Sequence, residues 1–351
     1  MQQVVTFSNI VLAVLNMSQA SLPVNIYRDD PTLILLVRIG GALSVLGSLF
    51  IIISYCLFRR SRKFSRRILL YLTVADLGAS LGWLLSGVES KIHLPTSPTN
   101  VCIVQGYLLQ FFYLSSFIWT ACFAWHLFQL IWIKNRRAYK LEWRYHFLSW
   151  GIPGCMCIYF AVRQSLLKQP SMGYTRDRPW CWISSSVDYK ADAFGWEQFA
   201  FFYIPLVIIL MFNLSIYFCL IRRLHNNLSS LEYKIRQRLL LYIAVFVFLT
   251  GWGLANRIFQ FFNPGGIPNR FLLSMDALCG PLQGFCNAVV YGINQKLRER
   301  YWNCITLRRS NAAGEYGRLE DPAVFRHAEY GTSRGSGGSD STDGPPNSPG
   351  V

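Results

Sequence analysis

Apolar residues in this chain fall in long blocks, not in the strict alternation of a half-buried strand or the one-sided stripe of a soluble helix. The first block runs from Thr32 to Phe58 with Arg38 as its one charge, and it stops at a basic run containing Arg59, Arg60, Arg62 and Lys63. Further blocks cover Ile68 to Val88, Cys102 to Ile133, Tyr145 to Ala161, Gln198 to Ile221, Leu239 to Phe262 and Phe271 to Ile293. Crossing a hydrocarbon core of about 30 Å takes roughly 20 residues of helix at about 1.5 Å each. Most blocks reach that length; the third exceeds it and has to tilt or protrude. The fourth is short, and Pro153 within it, like Pro205 in the fifth, is tolerated in lipid because neighbouring helices can satisfy the freed carbonyl. The pattern predicts an all-α fold, a seven-transmembrane-helix bundle over 32–293, behind an N-terminal segment at 1–31.

Past the last block, Lys296, Arg298 and Arg300 alternate with Leu297, Tyr301, Trp302 and Ile305. That spacing predicts a short juxtamembrane amphipathic helix at 294–305 resting on the lipids of the inner leaflet. Cys304 within it is either a palmitoylation site or an unmodified thiol beside the membrane. From there to residue 351 Gly, Ser, Pro and Asp dominate, and a disordered cytosolic tail is expected. The chain shows no internal repeat, which counts against transporter folds built from duplicated halves.

Composition sharpens the picture in one respect. The formal charge of +16 suits nucleic acid at first sight, but the basic residues cluster between the apolar blocks instead of along a face with stacking aromatics. They therefore report topology, and nucleic acid is not an expected partner. The segments at 59–67, 134–144, 222–238 and 294–309 together hold 21 Lys and Arg, against eight in the alternate segments. Short cytosolic loops retain positive charge during insertion, so the N-terminus is expected outside and the C-terminus inside, in a multi-pass protein of the plasma membrane. The sequon at Asn16 fits that orientation as a possible glycosylation site.

Ten cysteines are scattered without repeated CxxC pairing, which indicates no zinc site, and no cofactor or catalytic set is expected. Cys102 opens the third block and Cys181 lies between Trp180 and Trp182 in the long loop on the same, oxidising side. The other cysteines near that side lie inside blocks, so elimination favours a Cys102–Cys181 bridge, two free thiols being the alternative.

Ionisable groups inside spans are costly and usually face the bundle interior. Counting from the outer ends puts Arg38, Arg257 and Asp276 near the outer surface with Glu197 at the start of the fifth block, and with Gln283 they form a candidate ligand pocket. Two arginines beside two acids suit an anionic or zwitterionic ligand. The competing arrangement pairs Arg257 with Asp276 and lets Arg38 reach the headgroups. Deeper down, Asp76 is expected to meet Ser115 or Ser116 and Asn287 in a buried network that couples ligand to cytosolic opening, or serves structure alone. Trp150, Trp252 and Tyr291 are further activation candidates; Trp252 lies between Gly251 and Gly253, a hinge or a close-packing site. On the cytosolic side Arg59, Arg60, Arg62, Lys63, Lys134, Arg136, Arg137, Arg222, Arg223, Lys234 and Arg236 form a basic face that is a candidate contact surface for a cytosolic partner.

Several short motifs, taken in order, resemble the cyclic-AMP-receptor-like family of G protein-coupled receptors, animal orphan members included. They are Leu70 to Leu77 around Asp76, Ser115 to Thr120, His146 to Pro153, Trp180-Cys181-Trp182-Ile183, Asn256-Arg257, and Leu282 to Asn287 with Tyr291. The resemblance covers all seven blocks and implies a receptor that signals through a heterotrimeric G protein, with the outer disulfide in place; it carries over no ligand. The third block has no acid-arginine-aromatic switch and the last has Ala288 where rhodopsin-like receptors place proline. A seven-helix transporter or channel is the alternative, but only Asp76 lies well below the outer third, too little for a charged path through the midplane.

Overall fold

The computed structural model describes residues 30–57, 64–87, 98–133, 135, 138–168, 170–174, 178–184, 196–224, 230–263 and 268–292. Its helices are α1 (Pro31–Leu57), α2 (Phe64–Leu84), α3 (Asn100–Phe128), α4 (142–167), α5 (Trp196–Leu220), α6 (Ser230–Phe262), α7 (Arg270–Cys279) and α8 (Gln283–Gly292). A two-stranded hairpin, β1 (Met172–Tyr174) and β2 (Cys181–Ile183), follows α4 and pairs antiparallel with Gly173 opposite Trp182. Among the described residues five helices are long and apolar enough to cross a membrane: α1, α2, α3, α5 and the Leu241–Phe262 part of α6. Large apolar side chains point outward along them, Leu46, Ile53, Ile208 and Phe248 among those more than half exposed, a surface that suits lipid far better than water.

The expected continuous span from Phe271 to Ile293 is instead two helices of ten residues each, α7 and α8. Pro281 explains the difference, since it has no N–H to donate and its ring opposes the preceding turn. Ser44 of α1 mends the break: its hydroxyl donates to the Pro281 carbonyl at 2.5 Å and accepts from the Phe285 amide at 3.0 Å. The buried face of α1 is built from small residues, Gly40, Gly41, Ser44, Gly47 and Ser48, which bring it close enough to do so. A Cβ added at Gly40 would lie 2.9 Å from Pro281 Cβ, and one at Gly47 would lie 2.9 Å from Phe285 Cα.

Four π-helical turns occur among the described residues: Leu109–Tyr113 in α3, Gln129–Ile133 directly after it, Phe147–Gly151 in α4 and Phe199–Tyr203 in α5. Such turns add a residue to the helix and re-aim the side chains beyond it, and they gather at functional sites. A buried cluster that includes Leu33, Trp83, Phe117, Trp180, Trp182, Phe202 and Leu273 fills the hairpin end of the bundle. The start of α1 belongs to this same end, where Arg270 pairs with Asp30 at 3.2 Å.

Of the residues singled out from the sequence, Asn16, Arg59, Arg60, Arg62, Lys63, Lys134, Arg136, Arg137, Cys304 and all of 293–351 lie outside the described residues. Arg223, Lys234 and Arg236 fall on described helices with their side chains outside the description, and Arg222 is exposed.

Candidate ligand-binding site

The hairpin is fixed onto the bundle by three side chains of α3. Cys102 forms the disulfide with Cys181 of β2. Gln105 accepts from the Cys181 amide at 3.0 Å and donates to Gly82 O and Ser86 Oγ on the segment that ends α2. Gln110, in the π turn of α3, accepts from the Trp182 indole at 3.1 Å and donates to the Phe201 carbonyl, within the π turn of α5, at 3.1 Å. Buried amides that use both ends in this way hold a geometry as well as neutralise it. Trp180 and Trp182 are thereby locked over the helices, buried to within a few per cent.

Beneath them is a cavity of about 470 Å³, including space open to solvent. Trp83 of α2, Tyr113 and Phe117 of α3, Phe202 and Tyr203 of α5, Thr250 and Gly253 of α6, Asp276 of α7 and the two tryptophans line it. Its charged lining residues are Arg178 and Asp276. Arg178, just before β2, is only 4% exposed. Its guanidinium donates to Tyr203 Oη at 3.0 Å and lies 3.8 Å from Asp276 Oδ2. The same group sits 5.4 Å from the Trp180 ring centre and 5.5 Å from that of Trp182, within the range of cation–π attraction. Asp276 also accepts from Asn256 Nδ2 at 3.2 Å. Gly253 makes room for it, since a Cβ there would lie 2.8 Å from Asp276 Oδ1.

Deeper in the bundle, Asp76 is 3% exposed and accepts from Ser116 at 2.5 Å and from Asn287 at 2.8 Å. Gln283 donates to Ser116 at 2.7 Å, so α2, α3 and α8 share one chain of bonds. Ser116 adjoins Phe117, whose ring lines the cavity, while Gln283 and Asp276 lie on opposite sides of the break at Pro281. The cavity and the network are thus neighbours through two elements.

The four charges expected to share a pocket are placed apart. Arg38 donates to the Ser86 carbonyl at 2.8 Å. Glu197 pairs with Arg163 of α4 at 2.9 Å. Arg257 donates to Gln198 at 2.9 Å and Gln260 at 2.7 Å and lies over the Tyr203 ring at 5.1 Å. Only Asp276 lines the cavity, and its cation is Arg178, not Arg257. Depth along a helix says nothing about the direction a side chain faces, which is why counting from the helix ends grouped residues that diverge. Gln283 belongs to the Asp76 network, not to the cavity. Of the two serines offered as partners of Asp76, Ser116 is the one bonded; Ser115, a third of a turn away, returns its hydroxyl to the Phe111 carbonyl at 2.6 Å. Trp150 donates to His146 at 3.2 Å and stacks with Phe111. Trp252 packs edge-on against Phe248 and Phe271, and the buried Tyr291 meets Phe50. Gly253 serves close approach to Asp276, while Gly251 faces open space.

Arg178, Trp83, Gln105 and Gln110 escaped the sequence reading. Arg178 sits in a loop, where burial leaves no periodic trace, and a lone Gln in an apolar run reads as tolerated; their clue was Gln inside a lipid-crossing block, where a polar group must find a partner.

A family model described as 7 transmembrane receptor (Secretin family) matches residues 30–286. The chain belongs to that class of membrane receptors. Cyclic AMP receptor-like protein A of Dictyostelium discoideum is 28% identical over 266 residues, covering 76% of this chain and 65% of the relative's length. G-protein coupled receptor 1 of Arabidopsis thaliana is 29% identical over 285 residues, 77% and 80% of the two chains. The human G-protein coupled receptor 157 is 26% identical over 277 residues, 73% and 78%. The chain is therefore a multi-pass receptor of the plasma membrane and not an enzyme, and within its class it is similar to a cyclic-AMP-receptor-like protein.

Proposed function

We propose that this receptor takes a small extracellular ligand into the cavity above Asp276 and passes the signal to a heterotrimeric G protein at the opposite, basic end of the bundle. In this reading the chain crosses the membrane seven times, with α4 as the fourth crossing and the α7–α8 pair as a seventh that is broken at Pro281. The basic bias of 59–67, 134–144, 222–238 and 294–309 supports an N-terminus outside and a C-terminus inside. In this arrangement 1–31 is extracellular, 294–305 lies on the inner leaflet and 306–351 is a cytosolic tail. Arg222 and the basic residues around it face the G protein.

One observation carries the proposal: the cavity adjoins the Asp76 network, since Phe117 of its lining follows Ser116 and Asp276 and Gln283 lie on the two sides of the proline break. A ligand that draws on Asp276 shifts α7 relative to α8, and Gln283 and Asn287 relay the change to Ser116 and Asp76. It acts only through its different affinity for the two arrangements. The anionic or zwitterionic ligand expected from Arg38 and Arg257 loses its basis, because neither lines the cavity.

The test is a second-messenger screen in cells expressing the full chain, against nucleotides, small acids, amines and lipids, with the Asp276→Ala variant counted at the surface alongside. A compound found active on the wild type is expected to lose at least about tenfold in potency on the variant at equal surface density, which is roughly 1.4 kcal/mol of ligand contact. Equal potency on both would reject this cavity as the receiving site.

A further inference from the structure

The cavity already holds a cation. The guanidinium of Arg178 lies against the rings of Trp180 and Trp182, donates to Tyr203 and stands beside Asp276. We propose that this aromatic and acidic pocket is a binding site for an organic cation of the amine, amidine or guanidine type, and that Arg178 is its resident occupant, displaced when such a ligand enters. The inference rests on the cavity being the ligand site and names the ligand's chemistry.

Three features support displacement. First, the cage is held in place by bonds that do not involve Arg178. Trp180 and Trp182 flank Cys181, which the disulfide and Gln105 fix to α3, and Trp182 is also held by Gln110. Second, the pairing of Arg178 with Asp276 leaves room for improvement. At 3.8 Å it is an ion pair beyond hydrogen-bonding reach, whereas a ligand ammonium or amidinium approaching to about 2.8 Å adds a charge-assisted hydrogen bond. The Asp276 side chain keeps 15% of its surface exposed, so it can be reached. Third, the cavity has an unused donor. Trp83 lines it, and its buried indole N–H has no partner among the described residues; a ligand acceptor next to the cationic group would satisfy it.

Charge decides against an anion. With Arg178 withdrawn, Asp276 is the one charged side chain left among the lining residues. The negative faces of the tryptophan rings attract cations and repel anions, and an anionic ligand would lie against the Asp276 carboxylate.

The experiment uses the full-length chain purified in detergent, as wild type, Arg178→Ala and Arg178→Ala/Asp276→Asn, with benzamidine as the cationic probe and benzoate as its anionic counterpart. Melting temperature reads occupancy. At ten times its half-saturating concentration, benzamidine is expected to raise the melting temperature of Arg178→Ala by about 2–3 °C. Benzoate is expected to leave it unchanged, the wild type to gain less at the same concentration, and the double variant to gain nothing. Should Arg178→Ala fail to fold, judged by the Cys102–Cys181 bridge in mass spectrometry, Arg178→Gln carries the same test. A shift with benzoate in place of benzamidine, or no shift with either, overturns the assignment. Signalling is measured separately on the same variants. Stabilisation by benzamidine without any change in signalling of Arg178→Ala would leave the cation site standing and remove the cavity from the signalling path. Altered signalling of the cavity variants without benzamidine binding would do the reverse.

Discussion

Asp76 shows how single residues divide the work. A carboxylate buried among helices is expensive unless its oxygens are filled, and Ser116 and Asn287 fill one each. Replacing Asp76 by Ala leaves the Ser116 hydroxyl and the Asn287 amide without this acceptor, at about 1–3 kcal/mol for each group. Asp76→Ala is therefore expected to lower the melting temperature of the purified receptor and its surface count. Asp76→Asn keeps the shape and one carbonyl oxygen while removing the charge, so it should fold nearly as the wild type yet signal differently. A flow-cytometric surface count read beside a second-messenger assay separates the two effects. If Asp76→Asn signalled as the wild type at equal surface density, the network would be structural alone. Asp76 and Asn287 were readable from the sequence because a charge in a lipid-crossing block has to find a partner. The choice of Ser116 over Ser115 was not, since adjacent positions on a helix differ by about 100° in direction.

At the scale of elements, the decisive features are the hairpin strapped to α3 and the break between α7 and α8. The hairpin hangs on a disulfide that closes a separation of 79 residues, and removing such a bridge typically costs about 2–5 kcal/mol. Cys181→Ser is expected to impair delivery to the surface, checked by flow cytometry of the tagged receptor; undiminished delivery with unchanged ligand response would count against the bridge's structural role. The break is sustained from outside by Ser44, which bonds both Pro281 O and Phe285 N. Ser44→Ala should leave both groups unsatisfied in an apolar surrounding and lower the melting temperature, while the isosteric Ser44→Cys, a weaker hydrogen-bonding partner, should fall between. The apolar blocks made the order of these elements legible. Their internal irregularities were less so: Pro281 stands openly in the sequence, but whether a proline kinks or interrupts a helix depends on a neighbour 237 residues away. The π turns left no sequence signal that periodicity alone could recover.

For the whole molecule, topology joins these parts into a receptor. The cavity, the hairpin and the start of α1 share one end of the described bundle, and in the proposed reading the basic segments face the cytosol. Hydropathy and the positive-charge bias were enough to reach the class of fold and the membrane setting, because both are set by bulk transfer energies and not by particular contacts. The cavity was beyond that reading, since it depends on which way Arg178, Asp276 and the aromatic rings turn once the helices are packed. If the hairpin end faced the cytosol, no extracellular ligand could reach Asp276 and no G protein could meet the basic ends, whatever the chemistry of the pocket. Epitope tags fused to the two termini of the full chain, stained on intact and then on permeabilised cells, test this most directly. The expected result is an N-terminal tag that stains on intact cells and a C-terminal tag that stains only after permeabilisation; both tags on one side, or the reverse arrangement, would contradict the account.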